Sequence, residues 1–192
     1  VLSKSRIELI RTVKQAIASH KKANELIISN VLGSLATDYF SELPIYWDFP
    51  IQVGEESLPC KSLIDWLVVD HVSKKIMIVD LKTSALLGDF QETITNRNYY
   101  RQLAFYKLAV QQSQLFPSDY DIEAFIVVVN TLEPFECKVY KMTDAEWQKQ
   151  LLIITKLMQD ISWHWFTKLW EYSRVYYEGD GTENIETNED SI

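Results

Sequence analysis

The sequence predicts an α/β domain in which helices flank a central mixed β-sheet. Two observations predict this class. Helical and strand-like apolar periodicities follow one another in the order α-α-β-β-β-α-β-β-α, and one strand segment is apolar throughout, as in a sheet covered on both faces. The 192 residues are 47% hydrophobic and 24% charged, which suits one domain with a sizeable core. We expect that domain to span residues 1–178 and an acidic, disordered tail to span 179–192.

The chain is expected to open with two helices and a strand. Helices are predicted over 5–19, where Ser5 opens a capping-box pattern, and over 22–41, where apolar residues recur at helical spacing. Strict alternation of apolar and other residues then predicts a half-buried strand over 45–53. Pro50 lies within it, and proline places that strand at an edge of the sheet or at a bulge.

The next two segments predict a β-hairpin. Apolar strands over 61–69 and 75–82 are separated by a short polar connector. The remaining elements are a helix, two strands and a long helical pattern of one or two helices, in order over 92–113, 122–130, 136–141 and 144–177. The last segment is rich in aromatic residues, which we interpret as a packing face; the alternative is a surface that binds a partner.

Composition excludes several classes of protein. No run of about 18 apolar residues exists, so a membrane span is not expected. Cys60 and Cys137 form no CxxC pair, which argues against a disulfide framework or a cysteine zinc site. The chain has no Gly-rich phosphate loop and no G-x-S-x-G motif. Without a recognisable signal peptide, a cytoplasmic location is expected.

The net charge of −8 is unevenly distributed. Six acids and no base lie in the last 15 residues, namely Glu178, Asp180, Glu183, Glu186, Glu189 and Asp190. Without them the rest of the chain carries −2. The first 22 residues hold six bases against Glu8, namely Lys4, Arg6, Arg11, Lys14, Lys21 and Lys22. A locally basic face is therefore compatible with the acidic total, and a nucleic-acid partner is not excluded.

Three residues of the predicted hairpin form a pattern that suits phosphodiester hydrolysis. Asp65 interrupts an apolar strand, where a carboxylate is costly unless it is compensated. Asp80 and Lys82 end the next strand two residues apart, on one face. Converging carboxylates favour a hard cation such as Mg²⁺, and a neighbouring lysine can orient the attacking water. The alternative is structural: a strand end entering solvent and a satisfied buried carboxylate.

These residues and a downstream helix resemble a known family. The pattern I64-D65, V79-D80-L81-K82-T83 and Q102-L103-A104-F105-Y106 is similar to the PD-(D/E)XK nucleases, especially their RecB-like and RecE-like exonuclease branch. The resemblance implies a restriction-endonuclease-like core. It also implies these roles: Asp65, Asp80 and the Leu81 carbonyl as metal ligands, Lys82 as the catalytic lysine, Gln102 and Tyr106 on a helix against the site, and Thr83 as support for the loop.

The sequence departs from the family pattern at two positions and leaves one ligand open. Ile64 stands in place of the proline and Asp80 in place of glutamate, and both variations occur in that branch. The family also places a Glu or His on a helix before the first strand. Four residues are candidates. Glu25 is the first choice and His20 the second, and Asp38 and Glu42 lie later on the same helical pattern. A solvated helix face explains all four equally simply.

The resemblance implies a Mg²⁺-dependent deoxyribonuclease in which Mn²⁺ substitutes, most simply an exonuclease of DNA recombination, repair or phage DNA processing. Its partner would be DNA, with a homo-oligomer or a recombination protein held through the aromatic C-terminal helix as further possibilities. The alternative is a catalytically inactive nuclease-fold module that binds nucleic acid or protein. Arginines alternate with tyrosines at 97–101, which suits a phosphate backbone and unstacked bases or an ordinary helix surface.

Overall fold

Five strands form one mixed sheet in the order β1-β2-β3-β4-β5. The computed structural model describes residues 3–29, 36–50, 57–85, 87–88 and 90–179. The strands are Thr37–Pro50 (β1), Ser57–Asp70 (β2), Lys75–Ser84 (β3), Asp121–Asn130 (β4) and Cys137–Lys141 (β5). β3 and β4 are parallel, and the other three neighbouring pairs are antiparallel. The predicted hairpin is confirmed as β2 and β3, and β1 is an edge strand, as Pro50 indicated.

Helices cover both faces of this sheet. They are Lys4–Ser19 (α1), Lys21–Asn24 continued by a π-helical turn over Glu25–Ser29 (α2), Phe90–Asn96 (α3), Tyr99–Gln112 (α4), Asp144–Thr167 (α5) and Arg174–Glu178 (α6). The face under α4 and α5 buries the larger apolar cluster, including Ile45, Ile64, Leu67, Ile76, Ile78 and Ile126. The opposite face, under α1 and α2, buries Ala23, Leu26, Val68, Met77, Val79, Phe125 and Val127. The predicted mixed sheet flanked by helices is confirmed.

The second predicted helix is wrong in its second half. The described helical structure runs through Ser29, residues 30–35 lie outside the described residues, and β1 begins at Thr37, so residues 37–41 are a strand and not a helix. Residues 37–41 pair with the end of β2, and the Tyr39 ring stacks on Trp66 with the centroids 6.1 Å apart. Cross-strand pairing of this kind outweighs a helical periodicity that has no tertiary partner. The predicted cap is also wrong, because the Ser3 side chain, not Ser5, accepts from the backbone N–H of Arg6.

Two predicted helices are interrupted by residues with left-handed backbone. The helix predicted over 92–113 breaks before α4, at Asn98 with φ 53°. The pattern over 144–177 divides at Lys168 with φ 61°, which ends α5. Asparagine enters this conformation more easily than most residues, and each break re-aims the following segment.

The aromatic C-terminal segment is only in part the packing face that we expected. The buried residues of α5 are Trp147, Gln150, Ile154, Met158 and Ser162, so Trp147 does pack on the core. Trp165, Trp170, Tyr172 and Tyr176 are all exposed, and the two tyrosines contact each other with centroids 4.3 Å apart. The later aromatic residues therefore form an exposed cluster.

Two further expectations concern the whole chain. Among the residues that the structure describes, there is no helix with the length and apolar character that crossing a membrane requires. The predicted tail over 179–192 lies outside the described residues except for Gly179, which caps α6. One domain over 1–178 stays a prediction.

Lys107 of α4 is a buried base on the larger core. Its Nζ lies 5.0 Å from the centroid of the Trp147 ring. Burial lowers the pKa of Lys107 below 10.5, against the upward effects of Asp144 and Asp121. A base with a lowered pKa in the folded state destabilises the fold below that pKa, and the penalty is relieved as the pH rises toward 10.5.

We therefore expect Lys107→Met to raise the free energy of unfolding at pH 7, with a smaller gain at pH 10. Methionine keeps the apolar stem and removes the charge. Urea denaturation of both proteins at the two pH values measures this, with Lys156→Met as a control at an exposed position on α5. A variant less stable than the wild type at both pH values would show that the contact with Trp147 outweighs the cost of burial.

Candidate active site

β3 delivers a carboxylate and an amine to one face of the sheet. Ile76 and Ile78 are buried in the larger cluster, and the period of two along the strand places Asp80 and then Lys82 on the same face. Asp80 is only 1% exposed, whereas the Lys82 side chain is 20% exposed because the strand is approaching the sheet border. The acid is therefore set in the core and the amine at its edge.

The charge of Asp80 is only partly compensated. Its Oδ2 lies 2.6 Å from Lys82 Nζ, as an ion pair. In the described part of the chain, neither buried oxygen of Asp80 has a hydrogen-bond partner of good geometry. Burial raises the pKa of Asp80, the hydrogen bond and charge of Lys82 lower it, and the charge of Asp65 and a hydrogen bond with it raise it further, so that the pKa lies above its ordinary value. An additional positive group beside these oxygens would stabilise the ionised form.

Asp65 reaches the same place from β2. The β2–β3 ladder ends at the pair Trp66 and Val79, so the next position opposite Asp80 is that of Asp65. The Asp65 Oδ2 accepts a hydrogen bond of 2.9 Å from the backbone N–H of Leu81. This bond ties the strand end of β3 to β2 and holds the two carboxylates close together, as we predicted from the hairpin.

A third carboxylate, Glu42, lies on β1 in line with Asp65 on β2 and Asp80 on β3. Ser41 pairs with Trp66 and Leu43 with Ile64, which leaves Glu42 opposite Asp65 and outside the ladder. Glu42 has φ 51°, in the left-handed region. Such an irregularity in a strand re-aims side chains and is common beside functional sites.

β2 carries a matching irregularity. Ile64 and Leu67 are three residues apart, yet both are fully buried in the same cluster. A regular strand would bury residues two apart, so one extra residue is accommodated around Asp65. Because both strands change at the same level, the β1–β2 register is the same before and after the irregularity.

α4 closes the site with an amide and a phenol. Gln102 Nε2 donates a hydrogen bond of 2.8 Å to the Tyr106 hydroxyl, as the spacing of four on one helix face allows. Burial raises the pKa of Tyr106; the hydrogen bond from Gln102 lowers it, and the negative charges of Asp80, Asp65 and Glu42 raise it. Tyr106 therefore lies within electrostatic range of all three carboxylates.

The structure does not bring Glu25 to this group. Glu25 lies on the π-helical turn of α2, against the opposite face of the sheet, and pairs with Lys22 at 2.6 Å with 52% of its side chain exposed. His20 Nδ1 accepts from the backbone N–H of Ala23 and caps α2. Asp38 pairs with His71 at 2.9 Å.

Of the four acids and histidines considered for the extra ligand, Glu42 alone shares the electrostatic environment of Tyr106. The helical spacing of the residues before it predicts a helix at this position. The available signal was the run of strand-forming residues before it, Tyr39 and Phe40, which belong to β1.

The donor set fits one hard divalent cation. A buried carboxylate whose charge is only partly compensated and a second carboxylate beside it provide the oxygen ligands that Mg²⁺ prefers. Within the described ranges, no three His, Cys, Asp or Glu side chains are grouped closely enough to hold a metal ion. Glu42 is thus a neighbour of the pair and not a third ligand at coordinating distance.

Known proteins resemble this chain only distantly in overall sequence and structure. A search of curated proteins finds no match. Among solved structures, SSO0001 aligns at 14% identity with a TM-score of 0.40, covering 78% of this chain and 67% of that one. A protein from Eubacterium rectale, named "Putative exonuclease", aligns at 16% identity and a TM-score of 0.40 over 70% of this chain. The chain spans about half of that protein, 49% of its length.

The family model of a PDDEXK-like domain of unknown function matches residues 50–173. That range contains β2, β3 and α4, and with them Asp65, Asp80, Lys82, Gln102 and Tyr106. It is about two thirds of the chain. The mixed sheet with flanking helices is the restriction-endonuclease-like fold expected of such a domain, and the chain belongs to the PD-(D/E)XK superfamily, as a member of this PDDEXK-like family.

Proposed function

We propose that this protein is a divalent-metal-dependent DNA nuclease, and specifically an exonuclease of DNA recombination, repair or phage DNA processing. Membership of a PDDEXK-like family suggests a nuclease. One observation supports the activity in this chain: a buried Asp80 whose charge is only partly compensated, with the Asp65 carboxylate beside it and the Lys82 amine in contact. A purely structural role would not require an undercompensated carboxylate in the core.

Each residue has a distinct proposed role. Asp65, Asp80 and the Leu81 carbonyl would hold Mg²⁺ or Mn²⁺. Such a cation supplies a water of lowered pKa and neutralises charge on a phosphate oxygen. Asp65 also fixes the backbone of Leu81 through its hydrogen bond, so that the carbonyl and the two carboxylates keep one arrangement.

Lys82 would act on the reacting groups. Its ammonium lies at the border of the site and is the exposed end of the pair with Asp80. From there it can donate a hydrogen bond to the attacking water and offset charge that develops on the phosphate. The Gln102–Tyr106 pair would line the site from α4 and present polar groups to the DNA backbone.

Arg101 supports DNA as the substrate. It precedes Gln102 on α4, and its buried Nε has no hydrogen-bond partner among the described residues. A guanidinium on the helix that carries Gln102 and Tyr106 is well suited to a phosphate of the bound strand, because charge-assisted bonds to phosphate are strong. Arg97 is exposed two residues before α4 begins and would add to the same basic border.

Cleavage assays on matched substrates test the proposal. Linear duplex, linear single-stranded and covalently closed circular DNA are incubated with the protein and Mg²⁺, with EDTA as the control. We expect degradation of linear DNA only, and none in EDTA. Nicking of circular DNA would show an endonuclease instead. No cleavage with Mg²⁺ or Mn²⁺ would support the alternative function, an inactive nuclease-fold module.

That alternative has its own support. The chain carries a net charge of −8, and the described residues contain no group of three His, Cys, Asp or Glu side chains that could hold a metal ion. A module that binds nucleic acid or protein would retain the fold without cleaving. If the wild type does not cleave DNA, we then expect it to bind the same DNA substrates in a filter-binding assay.

Glu42→Gln is expected to lower cleavage about tenfold, because Glu42 adds negative potential at the cation site without contacting it. Glu25→Gln is the matched control: the same exchange on an exposed acid against the other face of the sheet, with no expected effect. Initial cleavage rates at saturating Mg²⁺ and the Mn²⁺ affinity by titration calorimetry check both variants. If both variants lose the same cleavage activity, or if Glu25→Gln alone loses it, the result would contradict the role of Glu42 and favour Glu25 on α2 as the extra carboxylate.

A further inference from the structure

We propose that Tyr99 is a positioning residue for Lys82: its ring would hold the Lys82 ammonium at the site when Asp80 binds a cation. This inference rests on the proposed nuclease function. Lys82 Nζ lies 4.9 Å from the centroid of the Tyr99 ring, within the range of a cation–π contact. The same nitrogen lies 2.6 Å from Asp80 Oδ2. The ammonium is thus held by a carboxylate and by an aromatic face.

These two contacts are not equivalent during the proposed reaction. A carboxylate that binds a cation has less negative charge to offer a lysine, and the cation repels the ammonium. Lysine has a flexible stem and gains hydration by turning outward, and the Lys82 side chain is already 20% exposed. The Tyr99 ring is neutral and does not bind the cation. It would therefore retain the ammonium near the reacting groups after the ion pair weakens.

The ring is fixed by its neighbours. Tyr99 is the first residue of α4 and follows Asn98, whose left-handed backbone sets the direction in which the helix starts. The Tyr100 hydroxyl donates to the Asn98 side chain at 2.9 Å. On the other side, the Phe90 ring packs against Tyr99 with the centroids 6.3 Å apart, and Phe90 in turn contacts Tyr140 at 5.8 Å. A ring held in this way can restrain a mobile side chain.

This arrangement gives a function to the break between α3 and α4. An uninterrupted helix over 92–113, as the sequence predicts, would continue the α3 axis through residue 99. The left-handed residue starts α4 in its own direction, with Tyr99 against Lys82 and the Gln102–Tyr106 pair against the carboxylates. The positions 99, 102 and 106 are separated by three and four residues and share one helix face.

Two substitutions of Tyr99 distinguish the effect of its aromatic face from the effects of its hydroxyl and of its volume. Tyr99→Phe keeps an aromatic face; Tyr99→Leu keeps apolar packing without one. A cation–π contact of about 0.5–2 kcal/mol corresponds to roughly 2- to 30-fold in an equilibrium. We expect Tyr99→Leu to lower kcat on linear DNA by about that factor with KM nearly unchanged, and Tyr99→Phe to restore kcat to within about twofold of the wild type.

Tyr46→Leu is the matched control, because Tyr46 makes another cation–π contact, with Lys61 Nζ 5.2 Å from its centroid, on an exposed part of β1. It should leave kcat unchanged. If Tyr99→Phe loses as much as Tyr99→Leu, the hydroxyl and not the ring matters, and the proposal is overturned. It is equally overturned if Tyr99→Leu keeps the wild-type kcat or raises KM alone.

A second measurement does not depend on cleavage. The side-chain methylene signals of Lys82, identified by NMR from their loss in Lys82→Met, should show an upfield ring-current shift with and without Mg²⁺. The shift should persist in Tyr99→Phe and vanish in Tyr99→Leu. A wild type without that shift overturns the contact, whereas a wild type that shows the shift but cleaves no DNA overturns the proposed function and with it the positioning role.

Discussion

Replacing Lys82 by methionine is expected to lower DNA cleavage by about 10²–10⁴-fold, the usual contribution of a positioned proton donor or acceptor. Methionine keeps the length of the stem but offers neither a charge nor a donor to water and phosphate. Single-turnover cleavage of linear DNA at saturating Mg²⁺ measures the loss. Lys156→Met on the exposed side of α5 is the matched control and should cleave at the wild-type rate.

The main alternative explanation of such a loss is misfolding, because Lys82→Met leaves Asp80 buried without its ion-pair partner. Removing one member of a buried pair costs on the order of 3–5 kcal/mol unless the other member is neutralised. The double variant Lys82→Met with Asp80→Asn removes both charges and should recover most of that stability without recovering cleavage. Unchanged turnover in a folded Lys82→Met protein would remove Lys82 from the mechanism.

The part of the site that sequence analysis anticipated is the part set by local geometry. A hairpin with a short connector fixes which residues face each other, and a period of two fixes which share a face. Asp65, Asp80 and Lys82 meet for these reasons alone. Gln102 and Tyr106 meet because they are four apart on one helix.

The part that it missed depends on interactions between distant segments. Glu42 was assigned to a helix because residues 22–41 have helical spacing, and only pairing with β2 makes 37–41 a strand. Its position beside Asp65 also requires irregularities on both strands, which no periodicity indicates. The break at Asn98 is similar: the apolar stripe continues through it, and its left-handed backbone accompanies contacts of Tyr99 with Phe90 and Lys82, which are distant in sequence.

Asp80→Asn is expected to make the metal-free protein more stable and at the same time to abolish cleavage. Burial raises the pKa of Asp80 in the folded state above its ordinary value of 3.8. Between these two pKa values the folded state binds more protons than the unfolded state, so stability falls as the pH rises through that window, and the penalty is complete above the folded pKa. Asparagine carries no charge to desolvate, and Lys82 keeps water and the Tyr99 ring as partners.

A divalent cation should reverse the order of the two proteins. At a Mn²⁺ concentration of 100 times Kd, a ligand that binds only the folded state stabilises it by about 2.7 kcal/mol, and the wild type should gain this amount. Asp80→Asn should gain far less, because it lacks the carboxylate that is buried beside Asp65. Urea denaturation in EDTA and in Mn²⁺ would then show the variant as the more stable protein in the first condition and the wild type in the second. Equal gains from Mn²⁺ would place the cation away from Asp80, and a variant less stable in EDTA would mean that the ion pair with Lys82 outweighs the cost of burying the charge.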